Sequence, residues 1–166
     1  MDHEIGALLD SLETRGMLRN TIVIVTGDHG ESFGEHGTVH HGGTLHLEQI
    51  HVPLILWRPG LIPARKRVDR PVDLRSIPAT VMQAIGEPKS VFPASSLLDA
   101  IADSAGVIAP AISEGPKVEG NPPTWQTGRG WVKSLVRDQW HLITLESGEN
   151  RAVRFEGRPG GAPQPR

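Results

Sequence analysis

Apolar and polar positions follow two rhythms along this chain. Ile5, Leu8, Leu9 and Leu12 recur at helical spacing, with Asp2, Glu4, Asp10, Glu13 and Arg15 between them. That pattern predicts an amphipathic helix from residue 2 to about 16, with Gly16 as its stop. Leu18-Arg19-Asn20 turns the chain. Thr21–Thr26 is then continuously apolar or β-branched, the signature of a strand buried on both faces, as in an α/β sheet. A Gly/His-rich loop is expected from Gly27 to about Thr44, and a short helical turn over Leu45–Ile50. A second apolar strand follows over His51–Trp57, with Pro53 near its start, where a missing N–H is tolerated. Arg58-Pro59-Gly60 ends it, and residues 61–70 read as a basic, proline-bearing surface loop.

The second helical pattern is "VDLRSIPATVMQAIGEP". Asp73 or Ser76 suits its cap, Pro78 its first turn and Gly86 its end. Residues 87–130 are rich in Pro, Gly and Ser and read as irregular, with a short strand in "PAISEG". Trp131–Arg137 and Trp140–Leu145 flank a turn at Asp138-Gln139 and predict a hairpin. "RAVRFE" adds a third strand after the Gly148-Glu149-Asn150 turn. The tail "GRPGGAPQPR" has the composition of disorder.

Composition narrows the chemistry. The chain has 166 residues, a formal net charge of −2 and no cysteine. It carries no basic field of the kind that binds nucleic acid and no apolar run long enough to span a membrane. Disulfides, thiolate metal sites and a cysteine nucleophile are excluded within it. The N-terminus lacks the basic start and apolar stretch of a secretory signal.

What stands out is "NTIVIVTGDHGESFGEHGTVHHGG", residues 20–43. Six of the eight histidines lie between positions 29 and 51. Asp28 and His29 are adjacent at the carboxyl end of a predicted strand, where open α/β sheets bind ligands. Neighbours on a strand point to opposite faces, so these two share one ion only where the backbone has left the strand. Gly27 and Gly30 allow that turn. Carboxylate plus neutral imidazole suits Zn²⁺ or Mn²⁺, and Ca²⁺ where oxygens supply the rest. The alternative is an aspartate capping the loop over a packed histidine.

"NTIVIVTGDHGESFGEHG" followed by "HGGTLHLEQIHVPLILWRPG" resembles the second half of the catalytic domain of the sulfatase family, in the alkaline phosphatase superfamily. The helix at Asp2–Leu12 and the segments "VDLRSIPATVMQAIGEP", "FPASSLLDA", "AISEG" and "KSLVRDQWHLI" are similar to what the family shows in the same order. The resemblance covers most of residues 2–156. It implies an α/β fold: a partial alkaline-phosphatase-like sandwich, a mixed sheet with flanking helices, plus a small C-terminal antiparallel hairpin. Residues 1–90 would be the second half of the catalytic domain, 91–156 the irregular segment and hairpin region of the same fold, and 157–166 a disordered tail.

By the same resemblance, Asp28 and His29 match the pair that binds the catalytic divalent cation, with Ca, Mn or Zn left open. His41 matches the His or Lys that contacts the transferred sulfuryl or phosphoryl oxygens and assists the leaving group. Glu48 and His46 match positions read as structural and packing, His36 and His40 line the pocket or lie in a solvated loop, and His51 is structural or on the surface. The family's nucleophile segment, Cys/Ser-x-Pro-x-Arg, has no match in this sequence. The implied function is metal-dependent hydrolysis of sulfate esters by a parent of which this chain is a fragment lacking the nucleophile, inactive by itself, with a complementing N-terminal half among the expected partners. The alternatives are a phosphohydrolase or phosphotransferase of the same superfamily, or a non-catalytic metal-binding remnant.

Overall fold

A computed structural model describes residues 1–102 and 109–155. The expectation of a disordered tail over 157–166 lies outside the described residues. The elements alternate as an α/β chain: helix α1 (Asp2–Thr14), strand β1 (Val23–Thr26), a short β2 (Ser32–Phe33) and β3 (Val39–His40), a one-turn helix α2 (Leu47–Ile50) and β4 (Leu54–Trp57). Helices α3 (Ser76–Ala84) and α4 (Leu97–Ala102) follow, then β5 (Ala111–Gly115), β6 (Val132–Arg137), β7 (Trp140–Leu145) and β8 (Asn150–Arg154). No helix among the described residues is long and apolar enough to cross a membrane.

Helix α1 ends as its pattern requires. Gly16 takes the left-handed conformation at φ 68, which costs a glycine nothing. Ile5, Leu9 and Leu12 are half-buried and Leu8 is exposed. A 3₁₀ turn over Met17–Asn20 then delivers the chain to β1.

The expectation that Thr21–Thr26 forms a strand buried on both faces is corrected. No residue of Val23–Thr26 is fully buried. Among the described residues, strand β1 pairs only with β4, antiparallel, with Val23 opposite Trp57 and Thr26 opposite Leu54. Two strands cannot cover both of their own faces. β4 therefore alternates, and Ile55 and Trp57 stay exposed. The strand pairings among the described residues are all antiparallel.

The expected hairpin is the centre of a larger unit, a four-stranded antiparallel sheet in the order β5-β6-β7-β8. Its inner face is written in the alternation of β6 and β7. Val132 pairs with Leu145, Ser134 with Ile143 and Val136 with His141, all buried. Leu45, Val132, Ile143 and Leu145 form the core cluster, with Ile50 against it. Leu45 belongs to the histidine loop, so that loop is anchored on this sheet. Burying such side chains is worth roughly 1.5–3 kcal/mol each.

Helix α3 starts at Ser76 with Arg75 as its N-cap and no side-chain cap bond from Arg75. Asp73 stands just before it and accepts the Arg75 N–H at 3.0 Å. Gly86, at φ 82, ends the helix as expected. Arg58 donates to the Ala84 carbonyl at 2.7 Å and to Asn20 Oδ1 at 3.2 Å, tying the end of β4 to the α3 C-terminus. Within residues 87–130, expected to be irregular, the structure has α4. Ser96 Oγ accepts the Leu98 N–H at 3.1 Å, and Thr80 Oγ1 accepts the Leu97 N–H at 2.8 Å. Its first turn is thus capped partly from α3, which no local pattern records.

Candidate functional site

The backbone leaves the sheet at Thr26, as the adjacency of Asp28 and His29 demands. Gly30 is required by proximity: its N–H donates to the Gln49 carbonyl at 2.8 Å, and a Cβ there would run into the backbone carbonyl of Glu48. His29 is thereby fixed against helix α2.

The structure brings together the three residues expected to act. The His29 and His41 rings are stacked with centroids 4.0 Å apart and planes inclined by 26°. His29 Nδ1 lies 2.9 Å from the Gly30 carbonyl oxygen, so in the neutral ring it is Nδ1 that carries the proton. Nε2 then offers a lone pair, 3.6 Å from Asp28 Oδ2. Two acceptors face each other across that gap, an arrangement that a proton or a cation between them relieves. A histidine that gives one N–H to a carbonyl and presents the other nitrogen is the usual metal-ligand geometry. Asp28 and His29 therefore fit a divalent cation. The Asp28 carboxyl is 89% exposed, and backbone N–H groups, its own first and then that of His29, hold it below the usual carboxylate range.

Glu31 is not singled out by the sequence, yet it joins this group. Its Oε2 lies 3.2 Å from His41 Nδ1. A carboxylate there accepts the Nδ1–H and leaves His41 Nε2 free to face a ligand. Asp28, His29 and His41 line a cavity of about 970 Å³ that also receives Lys66, Arg67 and Arg70 from the basic loop. Arg67 is paired with Asp69 at 2.7 Å.

A second histidine group forms behind the first. His36 and His46 are stacked at 3.8 Å, and His36 Nε2 is 3.4 Å from Glu48 Oε1. His46 is buried, and burial, reinforced by His36, Arg151 and His141, lowers its pKa to about 3. Gln126 Oε1 accepts the Leu45 N–H at 2.8 Å, so its amide nitrogen donates to His46 Nε2 at 3.1 Å. His40 is exposed and takes a left-handed backbone, φ 68. Its carbonyl accepts from Gln49 Nε2 at 3.3 Å. His51 is exposed at the end of α2.

Three glutamine and threonine side chains that the sequence does not flag hold the loop in place. Buried Gln49 receives the Thr44 N–H at 3.3 Å and donates to Ser32 Oγ at 2.7 Å. Thr127 Oγ1 bonds the Gly42 and Gly43 carbonyls at 3.1 Å. Gln126 and Leu45 are 81 residues apart in sequence, and only tertiary contact reveals such partners.

A profile of the sulfatase family matches residues 1–87. A sulfatase of Formosa agariphila is 35% identical over 86 residues, which is 52% of this chain and 17% of that protein. A delta 4,5-hexuronate-2-O-sulfatase of Bacteroides thetaiotaomicron is 27% identical over 157 residues, 92% of this chain and 28% of that protein. The phosphonate monoester hydrolase SpPMH of Silicibacter pomeroyi has a similar fold, with a TM-score of 0.74 at 22% identity over 97% of this chain and 33% of that one. The chain thus spans a third or less of the length of each of these relatives. With more than half of its residues matched by the family profile, the chain belongs to the sulfatase family.

Proposed function

We propose that this chain supplies part of the active site of a metal-dependent hydrolase of sulfate esters. The observation that carries the reading is the convergence of Asp28, His29 and His41 on one cavity, with the His29 and His41 rings 4.0 Å apart. Sulfatases and their relatives use a divalent cation. Asp28 and His29 would hold it, and when bound it would polarise the ester oxygens. Asp28 contributes charge. His29 contributes Nε2, oriented by its bond to the Gly30 carbonyl. His41, steadied by Glu31, places Nε2 where an imidazolium N–H stabilises the leaving oxygen or gives it a proton. Lys66, Arg67 and Arg70 bring positive charge to a cavity wall that also carries Asp28, Asp73 and Glu114. The hexuronate sulfatase among the relatives makes sulfated saccharides the first class to test. The attacking group belongs to sequence outside these 166 residues, whether continuous with them or a separate complementing half.

A second reading, hydrolysis or transfer of a phosphorus ester, follows from the likeness in fold to SpPMH. Sulfate and phosphate esters present the same tetrahedral oxygens, and the residues found in this chain serve either.

Calorimetry on the purified chain tests the site, with Mn²⁺, Ca²⁺ and Zn²⁺ and then inorganic sulfate or phosphate. Asp28→Ala and His29→Ala are expected to weaken cation binding at this site by about tenfold or more. His41→Ala should keep the cation and lose the anion. Turnover of aryl sulfate by the chain alone should stay low, because covalent catalysis needs its nucleophile. Cation binding unchanged in both Asp28→Ala and His29→Ala would overturn the reading. Cation binding without any anion binding would favour a metal-binding remnant.

A further inference from the structure

His36, His46 and Glu48 each place one ligand atom within 4.8 Å of the others, and none of them belongs to the Asp28–His29–His41 group. We propose that these three residues form a second cation site, for a first-row divalent ion of the zinc type, which clips shut the loop that presents His41. Two imidazoles and one carboxylate are a donor set zinc accepts, with a fourth position left to water.

Three observations point to a ligand. Glu48 Oε1 is shut off from solvent and makes no hydrogen bond. His36 Nε2 stands 3.4 Å away, near enough to pair with it but outside hydrogen-bonding geometry. A carboxylate oxygen enclosed in this way needs a positive partner. Second, His36 sits in the left-handed backbone region at φ 53, between Gly34 at φ 121 and Gly37 at φ 70. A non-glycine residue rarely adopts that conformation, and here it accompanies a ring laid over His46. Third, His46 is held from behind, by Gln126 on the approach to β6 and by burial. One ligand is therefore preset, while the His36 side chain, 41% exposed, has room to close on it.

Binding requires two adjustments. The in-plane lone pairs of rings stacked at 3.8 Å and inclined by 25° do not meet at one nearby point, so the His36 ring turns out of its stack. His46 Nε2 accepts from the Gln126 amide, so the neutral ring carries its proton on Nδ1, and binding through either nitrogen breaks that bond: at Nε2 the ion displaces the amide, and at Nδ1 the proton moves to Nε2, where it faces the amide N–H. What results is a clamp on the loop. His41 lies midway between His36 and His46, five residues from each. Tying the loop at those points restricts it without touching His41.

The test uses the full 166-residue chain in an Asp28→Asn/His29→Ala background, which removes the first site. Zn²⁺ is titrated by calorimetry and Co²⁺ by visible absorption. The background variant is expected to bind a single ion and to give a Co²⁺ spectrum of nitrogen and oxygen ligation. Adding His36→Ala or Glu48→Gln should weaken binding by about tenfold or more, and adding His40→Ala should leave it unchanged. Circular dichroism follows folding in each. If Glu48→Gln fails to fold, His36→Ala carries the test, since the His36 side chain is 41% exposed. A background variant that binds no ion overturns the proposal, as does His36→Ala binding as tightly as the background. Neither result bears on cation binding at Asp28 and His29, which is read in the otherwise native chain.

Discussion

Gly30 shows what a single position decides. Its backbone lies against α2 so closely that a Cβ meets the Glu48 carbonyl. Gly30→Ala is expected to destabilise the chain by about 2 kcal/mol and to weaken cation binding along with it, because His29 is displaced; urea unfolding and calorimetry measure the two effects. The buried histidines set a second prediction. His141 accepts or donates at Ser134 Oγ, 2.8 Å from its Nε2. Burial first, then His36, lowers its pKa to about 4, against an opposing hydrogen bond that the ring donates to the Leu45 backbone. His46, through burial first and then the charges of His36, Arg151 and His141, falls to about 3. Both folded values lie below the unfolded one near 6.5, so the unfolded chain takes up protons first as pH drops. Stability is full above about 6.5 and declines from that value down to about 3, the lower of the two folded values. The loss comes from both histidines and grows with the distance of each folded value below about 6.5. Urea midpoints measured from pH 7 to pH 4 should fall, and less steeply in His141→Gln.

At the scale of elements, helix α3 and the hairpin are legible because their signals are local. Pro78, Gly86 and the alternation of Val132–Arg137 are read without knowing any partner. Helix α4 escapes the sequence for the opposite reason. "FPASSLLDA" holds Pro and Ser, which signal a loop, and its Leu97 N–H is satisfied by Thr80, 17 residues away. Thr80 also donates to the Ser76 carbonyl at 2.6 Å. Thr80→Val keeps the volume and removes both bonds. It is expected to cost about 1–3 kcal/mol, the penalty for a buried donor left unpaired, and to abolish hydrogen-exchange protection at the Leu97 amide while β6 and β7 keep theirs. Equal loss of protection throughout would show that α4 melts only with the whole chain.

Across the whole molecule, apolar surface remains uncovered. Phe33 is 82% exposed and Ile55 58%, and among the described residues β1 and β4 have free edges on either side of their pair. Unpaired apolar strands favour association. The purified chain is expected to form oligomers at micromolar concentration, seen as concentration-dependent mass in light scattering. Ile55→Lys should shift it toward monomer. A sharp monomer peak for the unaltered chain would refute this.

The sequence by itself determined the elements and the candidate ligands. Periodicity, glycine stops and the Asp-His pair at a strand end are properties of neighbouring residues, and with the family resemblance they single out Asp28, His29 and His41 without any knowledge of the fold. Tertiary structure alone decided what those residues meet. It added Glu31 behind His41, set Gln126 against His46 and His141 near it, and left β1 without the burial on both faces that its sequence suggests. The physical reason is the same in each case: hydrogen bonding, burial and stacking depend on distance in space, and the chain crosses itself at points no local pattern encodes.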